Sequence, residues 1–182
     1  MPSPFCPSPL QLRLLSNSLG EEYGTVTDWV KITGKVIPGH GVASGQNGNP
    51  RFPGGTIRMQ QSAFAARGLN LNSFFPGTIN VSIQPYRFRV KQAKHTFKQV
   101  KWADTPPEDF SFFDCRILLK TGHWNSGLIY YPHPETKPEH FQDPTTLEVL
   151  TEFIEGLTYG MTISLGLDSK QLLVSESDPP SG

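Results

Sequence analysis

Asp28-Trp29-Val30-Lys31-Ile32-Thr33-Gly34-Lys35-Val36-Ile37 runs into Pro38 and then into Gly39-His40-Gly41-Val42-Ala43-Ser44-Gly45. The stretch before the proline is rich in β-branched side chains and reads as a strand. Pro38 ends it, because proline has no N–H to give to a ladder. No helix signal opens directly behind the glycines. The chain therefore passes from a strand into a long glycine-dense loop, Gly39–Gly55, and not into a dinucleotide-binding turn.

Working outward, Thr56–Gln60 reads as a short strand. Ser62–Gly68 has a serine N-cap, alanine-rich helical spacing and a glycine stop, which predicts about two helical turns. A strand begins at Asn80–Ile83 behind a Pro76-Gly77 turn, and Tyr86–Val90 alternates as a strand should. Phe110–Leu119 and Ser126–Tyr131 read as a strand pair joined through Thr121–Asn125. Thr145–Ile154 fits strand or helix, and Met161–Leu165 with Gln171–Val174 predicts a closing hairpin. The expected fold is mainly β, a small barrel with one or two short helices.

Composition agrees. Gly and Pro number 17 each and Phe 12 in 182 residues, which favours turns and short strands around an aromatic core. Residues 1–20, with Pro2, Pro4, Pro7 and Pro9, are expected to form a flexible tail, as are 176–182. Residues 21–175 are expected to form a single ligand-binding domain.

With 16 basic and 16 acidic residues the net charge is zero, so neither nucleic acid nor a membrane surface is an expected partner. The group Arg87, Arg89, Lys91, Lys94, Lys98 and Lys101 reads as a solvated strand face with its loop. Cys6 and Cys115 offer no disulfide framework, and no apolar run is long enough to span a bilayer. A cytoplasmic location is the expectation, as a monomer or small homo-oligomer.

Three motifs bear chemistry. In Gly39–Gly45, residues without Cβ let successive amides converge on an anion, although a plain surface loop has the same composition. In Phe75-Pro76-Gly77-Thr78-Ile79-Asn80-Val81, Thr78 and Asn80 fall on one face of the strand. There they either hold Mg²⁺ as neutral oxygen ligands or only cap the turn. In Tyr131-Pro132-His133-Pro134-Glu135-Thr136-Lys137-Pro138-Glu139-His140, the residues His133, Glu135 and His140 are potential metal ligands. Their prolines force an extended spacing unlike any zinc finger, and a solvated loop reads equally. Cys115, in an apolar strand, has nothing to activate it as a nucleophile.

The first two motifs, in this order with a short helix between them, resemble the archaeal CTP-dependent riboflavin kinases. That family carries a Gly-x-Gly loop, a helix and a Pro-Gly-Thr-Leu-Asn-Val turn. Thr146-Leu147-Glu148-Val149-Leu150 is similar to the family's Glu-Val-Ile segment. The resemblance spans roughly Val30 to Val174 and implies a six-stranded cradle-loop barrel. It implies that Thr78 and Asn80 hold Mg²⁺. Gly39, His40, Gly41, Val42, Ala43 and Ser44 would bind the CTP phosphates, helped by Phe153, Ile154, Glu155 and Gly156. Glu148 and His140 would bind the flavin, and the reaction would convert riboflavin to FMN. It names no general base. Where the family continues Gly-Glu-Gly, this chain has Gly41-Val42-Ala43 and a longer loop with Pro50 and Pro53.

Three functions stand: a nucleotide- and Mg²⁺-dependent small-molecule kinase; a non-catalytic barrel binding a nucleotide, flavin or other small ligand; and a metal-dependent hydrolase or lyase built on His133, Glu135 and His140. For the second, Trp124, Tyr130 and Tyr131 are expected as exposed rings on which a ligand stacks.

Overall fold

Strand β1 (Trp29–Ile37) buries Ile32 and Val36 and exposes Lys31, Thr33 and Lys35, the period-two pattern of a strand with one dry face. The structure, a computed structural model, describes residues 28–46, 48–137 and 143–176. Eight further strands and one helix follow: α1 (Thr56–Ala65), β2 (Ile79–Ser82), β3 (Tyr86–Val90), β4 (His95–Val100), β5 (Glu108–Leu118), β6 (Trp124–Pro132), β7 (Thr146–Thr151), β8 (Thr162–Asp168) and β9 (Leu172–Glu176). No helix among the described residues is long and apolar enough to cross a membrane.

Six strands close into an antiparallel barrel in the order β5-β6-β7-β2-β1-β8, with β8 returning to β5. Closure leaves the barrel without a free edge. β5 makes this possible by sharing one edge between two partners. Its second half, from Cys115 to Leu118, pairs with β8, and its first half, from Glu108 to Phe112, pairs with β4. The remaining strands β3 and β9 form a separate ladder whose Phe88 and Leu172 extend the barrel core.

Alternation along the strands sorts the side chains into two cores. Phe113, Cys115 and Ile117 of β5, Ile129 of β6, Leu147 and Val149 of β7 and Val81 of β2 fill the barrel. The intervening positions point outward. Phe110, Phe112, Leu128, Tyr130 and Leu150 form a second core with Ile57 and Phe64 of α1. Phe64 lies edge-on to Phe110 and Phe112 at centroid distances of 5.2 and 5.0 Å. Such contacts fix the helix to the barrel wall. Arg67, just past α1, adds hydrogen bonds to the carbonyls of Lys98 and Gln99 on β4 at 2.8 and 3.2 Å.

The mainly-β barrel with a short helix is as the sequence predicts, and four local readings are corrected. Thr56–Gln60 is not a strand but the first half of α1, and the helix ends at Ala65, so Ser62 sits inside it. The β-branched Thr56 and Ile57 imitate a strand, yet burial falls on Ile57, Gln60 and Phe64, a helical spacing. The entrance is capped by loop carbonyls: the amides of Thr56 and Ile57 donate to Val42 and Ala43 at 3.1 and 3.3 Å.

The C-terminal strands do not form a hairpin with each other. β8 pairs with β1 and β5, whereas β9 pairs with β3 through Val174 opposite Phe88. Of the ambiguous Thr145–Ile154, Thr146–Thr151 is strand β7, buried at every position, and Glu152 and Phe153 beyond it are exposed.

β4 has no counterpart in the sequence reading. Its apolar Phe97 is nearly lost among basic residues, and a bulge at Gln99 (φ 52°) interrupts its register. The basic group is dispersed. Lys94 pairs with Asp114 at 2.7 Å, and Lys91 and Lys101 reach backbone carbonyls of Ser169 and Thr105.

Candidate functional site

Asn80 on β2 and Glu148 on β7 are directly paired across the ladder and point out of the barrel, as does Tyr130 on β6. Over this patch lie the glycine loop, α1 and the segment through Trp102 and Thr105, and between them opens a cleft of about 1050 Å³ counting its mouth. A second recess, about 990 Å³, adjoins it around Phe153, Ile154 and Leu157. Phe75, Thr78, Asn80 and Tyr159 border both recesses.

The loop and the Pro76-Gly77 turn are packed together, and glycine makes it possible. A Cβ on Gly39 would strike the amide group of Asn80, and one on Gly77 would stand 2.9 Å from Ser44 Cβ. At Gly55, φ is +93° and a Cβ would meet the Gly45 amide at 2.6 Å, so only glycine fits where the loop enters α1. Gly41 also has positive φ. Among the described residues, the amides of Gly41, Val42, Ala43 and Ser44 engage no backbone carbonyl. All four residues line the cleft.

Thr78 Oγ1 donates to Glu148 Oε2 at 3.2 Å. Glu148 is 6% exposed, and its Oε1 is buried with no hydrogen-bond partner among the described residues. An unsatisfied buried carboxyl oxygen is costly, and native proteins retain few. Beside it, the Tyr130 hydroxyl donates to Gln60 Oε1 at 3.0 Å. Burial pushes the Tyr130 phenol well up, with the negative charges of Glu148 and Glu108 adding to the shift and the Gln60 bond opposing it.

The other end of the cleft was not foreseen from the sequence. Glu108, Trp102, Thr105 and Lys137 line it. Burial raises the Glu108 pKa; the Lys137 charge and the nearby Trp102 indole pull it back in part. The Trp102 N–H is close to Glu108 without reaching hydrogen-bonding geometry, and it and the Thr105 hydroxyl are buried without a partner. Nothing local marks Glu108 out: it follows Pro106-Pro107 directly and stands beside a second acid, Asp109.

The structure thus gathers Gly39, His40, Gly41, Val42, Ala43, Ser44, Thr78, Asn80 and Glu148 around one cleft. Phe153 and Ile154 line the neighbouring recess instead, and Glu155 and Gly156 are exposed beyond it. His140 lies outside the described residues.

Of the rings expected to be exposed, Tyr130 is buried because it faces the helix. Tyr131 packs against Phe88 and Phe113, and only Trp124 is exposed, 5.1 Å from the Arg116 guanidinium. Of the loop ligands, His133 Nε2 is hydrogen-bonded to Ser111 Oγ at 2.8 Å, and Glu135 is exposed. No group of three or more His, Cys, Asp or Glu among the described residues is placed to hold a metal ion. The Cys115 thiol is buried and its pKa raised, first by burial and then by Asp114.

Compared with known proteins, the chain matches no family model and no curated protein.

Proposed function

We propose that the protein is a nucleotide- and Mg²⁺-dependent small-molecule kinase that phosphorylates riboflavin to FMN, with CTP as the donor. The observation that carries this reading is the unpartnered Oε1 of Glu148, set beside Thr78 and Asn80 and bordered by the glycine loop. Thr78 Oγ1, Asn80 Oδ1 and the Glu148 carboxylate form an all-oxygen donor set. One acid with two neutral oxygens suits Mg²⁺, which keeps several waters and takes further ligands from phosphates. Thr78 gives its proton to Glu148, which leaves its oxygen lone pairs for a cation.

When bound, Mg²⁺ neutralises charge on the phosphates. The chain's own part is positioning. Loop amides orient the phosphates, and the adjoining recesses hold donor and acceptor in reach of each other, which is most of what phosphoryl transfer needs. The ribityl 5′-oxygen forms a bond to the γ-phosphorus as the bond from that phosphorus to the β-phosphate oxygen breaks, and the hydroxyl proton is released.

The test is FMN formation from riboflavin and CTP with Mg²⁺, followed by chromatography, in wild type and in a Thr78→Ala/Asn80→Ala variant. Turnover in the first and none in the folded second is expected. No FMN with CTP, ATP or GTP sinks the kinase reading. Mg²⁺-nucleotide binding without turnover would select the non-catalytic barrel.

A further inference from the structure

On the barrel wall formed by β1, β8 and the second half of β5, away from α1 and the cleft, Arg116 lies between two indole rings. Its guanidinium carbon stands 4.2 Å from the Trp29 ring and 5.1 Å from the Trp124 ring. We propose that this face binds single-stranded nucleic acid, with the Arg116 fork taking a phosphate and Trp124 stacking on the neighbouring base. Neither the cleft nor the kinase reading enters into it.

The register places the charges. Lys31 of β1 and Arg116 of β5 both pair with Gly166 of β8, one on each side of it. Ile32, Cys115, Ile117 and Leu165 fill the barrel, so the alternate positions Lys31, Lys35, Arg116 and Ser164 point outward. Gly166 lets Arg116 lie flat: a Cβ there would stand 2.9 Å from its Cγ and 3.0 Å from its Nε. Stacking covers the two faces of the guanidinium and leaves its edge free. Nε is buried without a partner, and the two terminal nitrogens donate to nothing among the described residues. A fork held flat with its in-plane donors unspent complements two oxygens of one phosphate or carboxylate.

Lys31 and Lys35 are exposed, and neither has an ionic partner among the described residues. The acids on the same wall are already engaged. Asp168 accepts from the Lys170 amide and Gln171 Nε2, and Asp114 from Lys94 Nζ and Gln171 Nε2. Asp28, exposed beside Trp29, marks the end of the positive face. The chain's net charge of zero is an average over all faces and does not report this one. Grouped cations suit a polyanion, and Trp124, 37% exposed, decides which. An unpaired base has a π-face to lay on the indole and carries its phosphate alongside, whereas an acidic side chain has no ring. A duplex keeps its bases stacked on one another and offers the indole nothing. In the next row, Thr33 pairs with Ser164, and their hydroxyls add donors for phosphate and sugar oxygens.

The test is fluorescence anisotropy of a labelled oligo-dT strand of about twelve nucleotides, a usual span for one barrel-sized site, on the full chain. At physiological ionic strength the strand should bind with a Kd of about 1–100 µM. Affinity should fall with salt at a log–log slope of roughly −2, from three phosphates neutralised at about 0.7 each. A duplex of the same length and a poly-Glu peptide should each bind at least tenfold more weakly.

Trp124→Ala, at an exposed position, should weaken strand binding roughly five- to a hundredfold, the range for one lost stack. Arg116→Lys keeps the charge but not the fork and should weaken it about tenfold. Lys31→Gln should make the salt slope shallower by about 0.7. Lys98→Gln, at an exposed lysine of β4 away from this face, should change little, which separates the face from general attraction. A strand Kd weaker than about 100 µM overturns the proposal. So does wild-type affinity in Trp124→Ala, Arg116→Lys and Lys31→Gln alike, or a loss in Lys98→Gln as large as in Lys31→Gln. Poly-Glu bound as tightly as the strand would replace the nucleic acid by a carboxylate partner, and a duplex bound as tightly would remove the stack.

Discussion

Replacing Glu148 by Gln should make the ligand-free protein more stable and the liganded protein less so. Glu148 sits on a fully buried strand with one carboxyl oxygen bonded to Thr78 and the other to nothing among the described residues. An unsatisfied buried polar atom costs about 1–3 kcal/mol. Gln keeps an oxygen for Thr78 and removes the charge from the buried, unsatisfied place, so about 1 kcal/mol of that cost is relieved. In a domain of this size 1 kcal/mol moves Tm by roughly 2–4 °C.

With Mg²⁺-CTP at a hundred times its Kd, the wild type gains about 2.7 kcal/mol by mass action. That corresponds to roughly 5–10 °C. The variant, lacking the carboxylate next to Thr78 and Asn80, should lose most of this shift. Thermal melts with and without Mg²⁺-CTP would therefore cross: the variant melts higher alone and lower with ligand. A variant that melts several degrees lower alone, yet keeps the full ligand shift, would show that Glu148 is a structural acid. Glu148 would then take no part in binding Mg²⁺-CTP.

Gly39→Ala should displace the Asn80 amide, the flexible end of a side chain, and so weaken Mg²⁺-CTP binding at least tenfold for less than about 1 kcal/mol of stability, as read by calorimetry and urea melts. Gly55→Ala, by contrast, sets a Cβ against backbone at φ +93° and should destabilise by more than about 2 kcal/mol or prevent folding, as circular dichroism would report. Because burial raises Glu108, the native state holds its proton more tightly than the unfolded chain. Stability should be highest below the ordinary carboxyl pKa, fall as pH rises from there through the raised native value, and then level off. Urea midpoints against pH should show this slope, and Glu108→Gln should flatten it. Phe64→Ala removes the ring that ties α1 to Phe110 and Phe112 and should cost about 3–5 kcal/mol in the same urea melts.

The strands that show in the sequence are those with one or two well-buried faces. Tyr86–Val90 is β3 to the residue, and Asp28–Ile37 is β1 less its first residue. Two failures have the same source, a local signal that tertiary contacts override. Thr56 and Ile57 are β-branched, but their amides are caught by the Val42 and Ala43 carbonyls, and Ile57 drops into the helical core. β4 pairs only with the first half of β5, and a lone Phe97 in a basic stretch gives no alternation to read. The glycine loop, Thr78 and Asn80 stand out because a turn and a glycine run are local features, whereas Glu148, in mid-strand, is singled out only by the family resemblance. Trp102 belongs to the β4–β5 connection, Glu108 at its end opens β5, and Lys137 follows β6. The β4–β5 and β5–β6 pairings bring them to one cleft, and no spacing rule reports that.

The outward and inward positions of β2, β6 and β7 have an evolutionary meaning as well. Val81, Ile129, Leu147 and Val149 answer to the barrel, whereas Asn80 and Glu148 on the same strands face the cleft outside it. A substitution at one set leaves the other set's surroundings in place. The lining of the cleft can drift one residue at a time, on a barrel that is indifferent to the change.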